Sequence, residues 1–390
     1  MNVVQSSKRA SEIEPFQVMD ILARARSMEA RGVDVVHMEI GEPDFATPEP
    51  IVKAGIAALE SGFTHYTPAL GLPQLRQAIS QYYRSQFGVK ISSDRIAVTP
   101  GSSGALQLSL AAVLNPGDEV LMADPGYPCN RHFVRLFEGL PALIAVDEST
   151  RYQLTAELIA KHWSTSTRAV ILASPSNPTG TCCSLFELKK IVALVKEKGG
   201  VLIVDEIYQS LVYDSEPETV LSLSDDLIVI NSFSKYFGMT GWRVGWMVMP
   251  DGFEPVVDKL AQNFFLATST PAQYAALAAL SEGTLSELER RRQQLKQRRD
   301  YLVDAVTELG FKVPVMPQGA FYIYAQCAAF SKDSRVFADQ ILERAAVALT
   351  PGNDFGHNQS KHYVRFAYTT ELSRLREGVS RLSTYLKQLR

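Results

Sequence analysis

The sequence predicts an α/β fold: a mostly parallel sheet with helices on both faces in a large domain, joined to a smaller α+β domain built from both chain ends. Two observations carry that prediction. Near-continuous apolar runs alternate with longer helix-patterned stretches between residues 95 and 232. Strands alternating with helices imply βαβ units, and runs without polar alternation suit strands covered on both faces. After Thr284 the pattern changes to a long charged helix followed by separated strand-like runs. The expected boundaries place residues 46–284 in the large domain, with 1–45 and 285–390 in the small one. A chain of 390 residues, 46% hydrophobic and 21% charged, is long enough for both.

Taken in order, a first helix is predicted from Pro15 to Arg31, before "VVHMEIGEPDF". It is expected to pack with the C-terminal domain, because chain ends often lie together. "RIAVT" (95–99) reads as a strand and "SSGALQLSLAAVL" as the helix after it. "EVLMAD" (119–124) precedes a helix-like stretch through Arg135, and "RAVILAS" (168–174) precedes "LFELKKIVALVKEKG". "GVLIVDE" (200–206) and "DLIVINS" (226–232) read as two further buried strands. "LSELERRRQQLKQRRDYLVDAVTELG" is a long helix whose Arg and Lys cluster reads as solvated surface. "AFYIYA" (320–325) and "YVRFAY" (363–368) supply strands of the smaller domain. No internal repeat or low-complexity segment interrupts the pattern.

Net charge is −3, so neither nucleic acid nor a membrane surface is an expected partner. The four cysteines, Cys129, Cys182, Cys183 and Cys327, form no CxxC pair. They read as neither a disulfide framework nor a metal site, and they fit a reducing compartment. The start, "MNVVQSSKRASEIEPF", lacks an apolar signal core, and no run reaches transmembrane length. A cytoplasmic protein is expected.

The stretch "SFSKYFGMTGWRVGW" (232–246) sets Lys235 among small and apolar neighbours rather than on a solvated face. Desolvation lowers a lysine's pKa, and a neutral amine is a nucleophile. Ligands of parallel α/β sheets gather at the carboxyl ends of strands, and polar residues cluster at those ends here. "TPGSSGALQL" presents Gly101, Ser102, Ser103 and Gly104 at a helix start, which reads as a phosphate cradle or as an ordinary capped helix. "IVDEIYQS" ends a buried strand with Asp205 and sets Tyr208 three residues on; a helix cap is the alternative for Asp205. "SPSNPTG" carries Asn177 between two prolines, where a plain turn is the alternative. A phosphorylated pyridine aldehyde would use all of them. The lysine condenses with the aldehyde, the Ser/Gly loop and Arg243 hold the phosphate, and a carboxylate keeps the ring nitrogen protonated. Tyr208 and Asn177 bond the ring oxygen. That ligand is pyridoxal 5'-phosphate.

"SFSKYFGMTGWRVG" resembles the signature of the class I/II aminotransferases, the aspartate-aminotransferase-like family of fold type I. "YTPALGLPQLRQAI", "SPSNPTG", "VDEIY" and "YVRFAY" resemble further motifs of the family, in family order. The likeness runs from "MEIGEPDF" to "YVRFAY", most of the chain. It implies a seven-stranded sheet in the pyridoxal-phosphate domain and assigns roles by position. Lys235 matches the Schiff-base lysine and proton shuttle, Asp205 the pyridinium partner, and Tyr208 and Asn177 the ring-oxygen ligands. Ser102, Ser103, Gly104, Ser232, Ser234 and Arg243 match phosphate-binding positions. Tyr127, otherwise a core tyrosine, matches the aromatic that stacks on the ring. Arg365 matches the clamp on the substrate α-carboxylate, and Gly41 a glycine that lets backbone approach the substrate beside Asn177. Tyr66 matches a tyrosine that reaches the phosphate of a neighbouring subunit, which implies a homodimer with shared active sites.

The expected activity is transfer of an amino group between an L-amino acid and a 2-oxo acid (EC 2.6.1.-) through a pyridoxal-phosphate Schiff base on Lys235. The alternatives are a C–S β-lyase on the same scaffold, an aspartate-specific aminotransferase, and a cofactor-sensing regulator, for which the first fifteen residues leave no room for a DNA-binding module. Aspartate-acting members of the resembled subgroup carry a lysine in the phosphate-loop stretch, where this chain has Gly101, Ser102 and Ser103. Serine cannot neutralise a distal carboxylate. A neutral or apolar donor is therefore expected, with "NFFLATS" (263–269) offered as extra apolar wall, unless Arg131, Lys8 or Arg9 reaches the pocket.

Overall fold

The structure is a computed structural model that describes residues 5–389. After the short strand β1 (Val36–His37), the apolar runs become β2 (Ile96–Thr99), β3 (Glu119–Asp124), β4 (Leu140–Ala145), β5 (Thr167–Ala173), β6 (Val201–Asp205), β7 (Ile228–Ser232) and β8 (Gly245–Val248). β2 to β8 form one seven-stranded sheet in the order β2-β8-β7-β6-β5-β3-β4. Every neighbouring pair is parallel except those of β8, which runs against both β2 and β7. The reason the runs show no alternation is visible in β6. Leu202 and Val204 pack into one apolar cluster while Ile203 packs into another on the opposite face. Each such burial contributes roughly 2 kcal/mol, so both faces select apolar residues.

β4 and β8 were not among the predicted strands. β4 is an edge strand that contains Pro141, which only an edge tolerates. β8 follows within two residues of Arg243, and its reversed direction leaves no local signature. That reversal matters for the site. It brings the start of β8 to the edge of the sheet where the other strands end, with Gly245 opposite both Thr99 and Ser232.

The remaining strands are β9 (Tyr322–Gln326), β10 (Val347–Ala348), β11 (Thr350–Pro351) and β12 (Tyr363–Ala367). β11, β12 and β9 form an antiparallel sheet, and β1 pairs with β10, Val36 opposite Val347. The long helix spans Glu282–Leu309 and stops at Gly310, whose φ of +103° favours glycine. Leu295, Leu302 and Val306 pack it onto Phe321, Ile323 and Phe366. Its basic cluster is not all solvated surface as expected: Lys296 pairs locally with Asp300 at 3.1 Å, but Arg298 and Arg299 are buried, Arg298 on Asp44 at 2.8 Å and Arg299 on Asp214 at 3.1 Å. The helix predicted over Pro15–Arg31 spans Gln17–Glu29, shorter at each end, and a short helix, Lys8–Ser11, precedes it. The longer helix docks on the C-terminal part as expected, with Ile21 and Ala25 against Ala338 and Leu342. Among the described residues, no helix is long and apolar enough to cross a membrane.

Candidate active site

The strand ends converge on a cavity of about 250 Å³. Lys235 lies three residues beyond β7 and reaches its floor, where Nζ donates to the carbonyl of Gly41 at 2.8 Å. Burial brings its pKa down to about 8, with the charge of Glu42 opposing the shift. Asp205 ends β6, is buried, and accepts one backbone hydrogen bond, from Ile207 at 3.1 Å. Burial pushes its carboxyl up to about 6, against the pull of that N–H and of the Lys235 charge.

Arg243 enters because β8 is reversed. Its backbone is left-handed (φ +54°), and Nη1 donates to Thr240 O at 3.0 Å. Gly101 opens the helix Gly101–Val113 beside it, with φ of +68°. A Cβ at Gly101 would stand 2.4 Å from Arg243 Nη2, so only glycine admits the guanidinium there. Gly101→Ala is expected to weaken pyridoxal-phosphate binding about tenfold or more, roughly 1.4 kcal/mol, read as cofactor Kd by titration of the stripped protein. An unchanged Kd would mean that Arg243 does not hold the phosphate.

Ser102, Ser103, Ser234, Tyr127, Asn177, Tyr208, Gly41 and Arg365 all lie on the cavity wall. Three of the sequence-predicted residues do not. Gly104 packs against Pro100 and Thr99 in the helix–strand contact, where its missing Cβ serves close approach. Ser232 is buried behind Ser234, their hydroxyls 2.9 Å apart. Tyr66 is 83% exposed and does not line this chain's cavity. The "NFFLATS" stretch contributes no wall here; Phe264, the last residue of the helix Glu254–Phe264, and Leu266 just after it are exposed.

Arg365, on β12, is held on several sides. Nη1 donates to Asn177 Oδ1 at 2.9 Å, and Nη2 bonds Thr350 Oγ1 at 3.1 Å and the Glu39 carbonyl. Its guanidinium lies 4.2 Å from the Tyr322 ring centroid and 4.9 Å from that of Phe355. Nε is buried without a hydrogen-bond partner, a donor left over for a ligand. Tyr322 escaped sequence reasoning, although "AFYIYA" was read as a strand. Its hydroxyl meets Tyr208 at 3.0 Å, and a Cβ at Gly41 would fall 1.9 Å from it. Also unforeseen are Phe16, Val18 and Met19, from the start of the helix Gln17–Glu29, and Glu42. The cations held in reserve are engaged elsewhere. Arg131 pairs with Glu14 at 3.3 Å, Arg9 with Glu138 at 3.5 Å and Lys8 with Glu12 at 3.9 Å.

A lysine of lowered basicity, a buried carboxylate and an arginine beside a glycine-opened helix, all at one edge of a mostly parallel sheet, belong to the fold type I pyridoxal-phosphate enzymes. The residues fit that cofactor: Gly101 has no Cβ to crowd the Arg243 guanidinium, and the buried Asp205, with one backbone hydrogen bond, suits a cationic ring nitrogen. The family described as aminotransferase class I and II matches residues 33–382, and the chain belongs to it. Its members depend on pyridoxal phosphate and transfer amino groups, and this protein is an aminotransferase of that kind. A (5-formylfuran-3-yl)methyl phosphate transaminase of Methanocaldococcus jannaschii is 37% identical over 98% of this chain and 100% of its own length. A valine–pyruvate aminotransferase of Mycobacterium tuberculosis is 34% identical over 96% of this chain and 97% of its own. The solved aspartate aminotransferase from Thermus thermophilus with maleate superimposes with a TM-score of 0.93 at 31% identity, covering 98% of this chain and 100% of that one. Three different substrates among three relatives leave specificity to be argued from the pocket.

Proposed function

We propose that this aminotransferase takes its amino group from a neutral or apolar L-amino acid rather than from aspartate, and passes it to a 2-oxo acid. The observation that carries the proposal is the charge inventory of the cavity. Its cations are Lys235, Arg243 and Arg365, each with a task, and its acids are Asp205 and Glu42. Among the described residues, this chain's cavity lining holds no fourth cation for a distal carboxylate, and Glu42 opposes one. Arg291 and Arg292 line an adjoining cavity but are tied to Glu287 and Glu289. Phe16, Val18, Met19 and Leu106 offer apolar wall instead.

The roles follow from chemistry and position. Arg243, Ser102, Ser103 and Ser234 would hold the phosphate, Asp205 would keep the pyridine nitrogen protonated, Asn177 and Tyr208 would bond the ring oxygen, and Tyr127 would pack on the ring. Bound pyridoxal phosphate supplies an aldehyde that condenses with amines and a protonated ring that accepts electrons from a Cα–H bond. Lys235 would anchor the cofactor and move the proton at the substrate α-carbon; an amine with a pKa near 8 can serve as nucleophile and as proton carrier near neutral pH. Arg365 is the cation placed on the cavity wall for the α-carboxylate. The reading includes a small domain of residues 1–45 and 285–390 beside a large one of 46–284, supported by the separate apolar cluster around β9 and β12. It also includes a homodimer in which Tyr66 reaches the partner's site, supported by that side chain's exposure, and a cytoplasmic setting, supported by four free cysteines.

Comparing kcat/KM for aspartate, alanine, valine and methionine, with 2-oxoglutarate and pyruvate as acceptors, tests the substrate reading. The neutral donors are expected to lead. Aspartate ahead by more than about tenfold, roughly 1.4 kcal/mol of transition-state binding, would overturn it.

A further inference from the structure

The helix Gln17–Glu29 begins without a cap of its own, because its N-cap residue, Phe16, has no side-chain oxygen to offer. The cap comes from Asp354, 336 residues beyond Val18. Asp354 Oδ1 accepts from the Gln17 N–H at 3.0 Å and Oδ2 from the Val18 N–H at 3.2 Å. The carboxylate is 2% exposed, so few alternatives for those two donors exist. The turn it fixes sets Phe16 and the buried Val18 on the cavity wall, with Met19, 54% exposed, at its rim; Phe16 stands edge-on to Tyr127 at 6.2 Å between centroids.

The other end of the connection is as informative. Asp354 closes the turn Gly352–Asp354, which follows β11 directly. On β11, Thr350 stands opposite Arg365 in the sheet and bonds its guanidinium. Phe355, the next residue after Asp354, stacks on the same guanidinium, and its carbonyl accepts from Gly126 beside Tyr127. One short segment therefore touches the carboxylate clamp, the apolar wall and the start of the ring-stacking loop.

We infer that Asp354 is a positioning residue for side-chain selectivity: it fixes the distance between the wall at Phe16–Met19 and Arg365, and so decides how well a donor side chain is gripped once its carboxylate is bound. The inference rests on the reading of Arg365 as the carboxylate clamp. A donor without a side chain long enough to meet the wall is indifferent to Asp354, and a long one is not.

The test measures kcat/KM for alanine, leucine and methionine in wild-type holoenzyme and in the Asp354→Asn, Asp354→Ala and Val18→Ala variants. Asp354→Ala is expected to lower the values for leucine and methionine about tenfold and that for alanine less than about threefold. Asp354→Asn keeps one acceptor oxygen and falls between. Val18→Ala reproduces the split, and adding it to Asp354→Ala costs much less than the sum of the two, because both act through one wall. Equal losses for all donors, or none for leucine, overturn the inference. If Asp354→Ala does not fold, the leucine-to-alanine ratio of Asp354→Asn decides alone. A wild-type preference for aspartate would sink the neutral-donor reading instead, and the aspartate-to-alanine ratio in Asp354→Asn would then carry the same decision. Loss of all discrimination in an Arg365→Ala enzyme is expected; retention of full activity there would remove the clamp itself and separate that failure from this one.

Discussion

Lys235→Ala is expected to lower transamination by at least about 10⁴-fold, some 5 kcal/mol of barrier, while cofactor binding survives in weakened form. The amine is the one group on the cavity floor that is both nucleophilic and able to carry a proton, with its pKa near 8. Nothing beside it substitutes: Tyr208 and Tyr322 are buried phenols whose pKa values are raised. Arg243, Ser102, Ser103 and Asp205 remain in the variant, so the phosphate and ring still have partners. Borohydride reduction followed by denaturation and peptide mass spectrometry gives a second readout. Wild type should retain a cofactor-derived mass on the peptide that contains Lys235, and the variant should retain none. A labelled peptide elsewhere in wild type would identify a different anchoring residue.

Asp205→Asn is expected to reduce turnover about 10³-fold, near 4 kcal/mol, with the fold intact. An amide fills the same space but cannot hold a proton on the pyridine nitrogen, and a neutral ring is a poor electron acceptor. A variant within about tenfold of wild type, near 1.4 kcal/mol, would show that the ring is not activated from this position. The stripped protein offers an independent check. Burial raises the Asp205 carboxyl from its ordinary 3.8 to about 6, so the folded state binds more proton than the unfolded one across that window. Stability is then lost as the pH rises from about 4 to 6, and the cost of the buried charge is fully present above it. Without cofactor, Asp205→Asn should melt higher than wild type at neutral pH, and the gain should shrink as the pH falls through the window. With cofactor bound, the gain should disappear.

Much of this was legible in the sequence because the chemistry sits where strands end. Lys235, Asp205, Asn177 and Arg243 are marked by polar or charged identity within apolar or glycine-rich surroundings, and each lies within a few residues of a buried run. Residues that act by contact across the fold carry no such mark. Tyr322 is one aromatic among several in its strand, and its place beneath Arg365 depends on the pairing of β9 with β12. Phe16, Val18 and Met19 sit at the start of an amphipathic helix whose local pattern announces a core-facing stripe, not a pocket wall. Gly104 and Ser232 share sequence motifs with lining residues yet face away, because a helix or strand turns alternate side chains to different neighbours. "NFFLATS" looked like wall for want of any directional signal. The edge strand with its proline and the reversed β8 were missed because pairing direction is a property of the sheet, not of four residues.

The pairing of Val36 with Val347 and the bond from Val18 to Asp354 have a consequence for biosynthesis. The helix Gln17–Glu29 leaves the ribosome before any strand of the large sheet, and the residues that cap it leave near the end. During synthesis the sheet, with Asp205 and Lys235 at its edge, is available to fold while Gln17–Glu29 has no carboxylate to hold its first turn. Domains fold as units from the N-terminal side, and distant closures come last. The nascent chain thus gains Asp205, Lys235 and Arg243 well before Asp354 and Arg365, so the carboxylate clamp and the cap behind the apolar wall are the last parts of the site to be made.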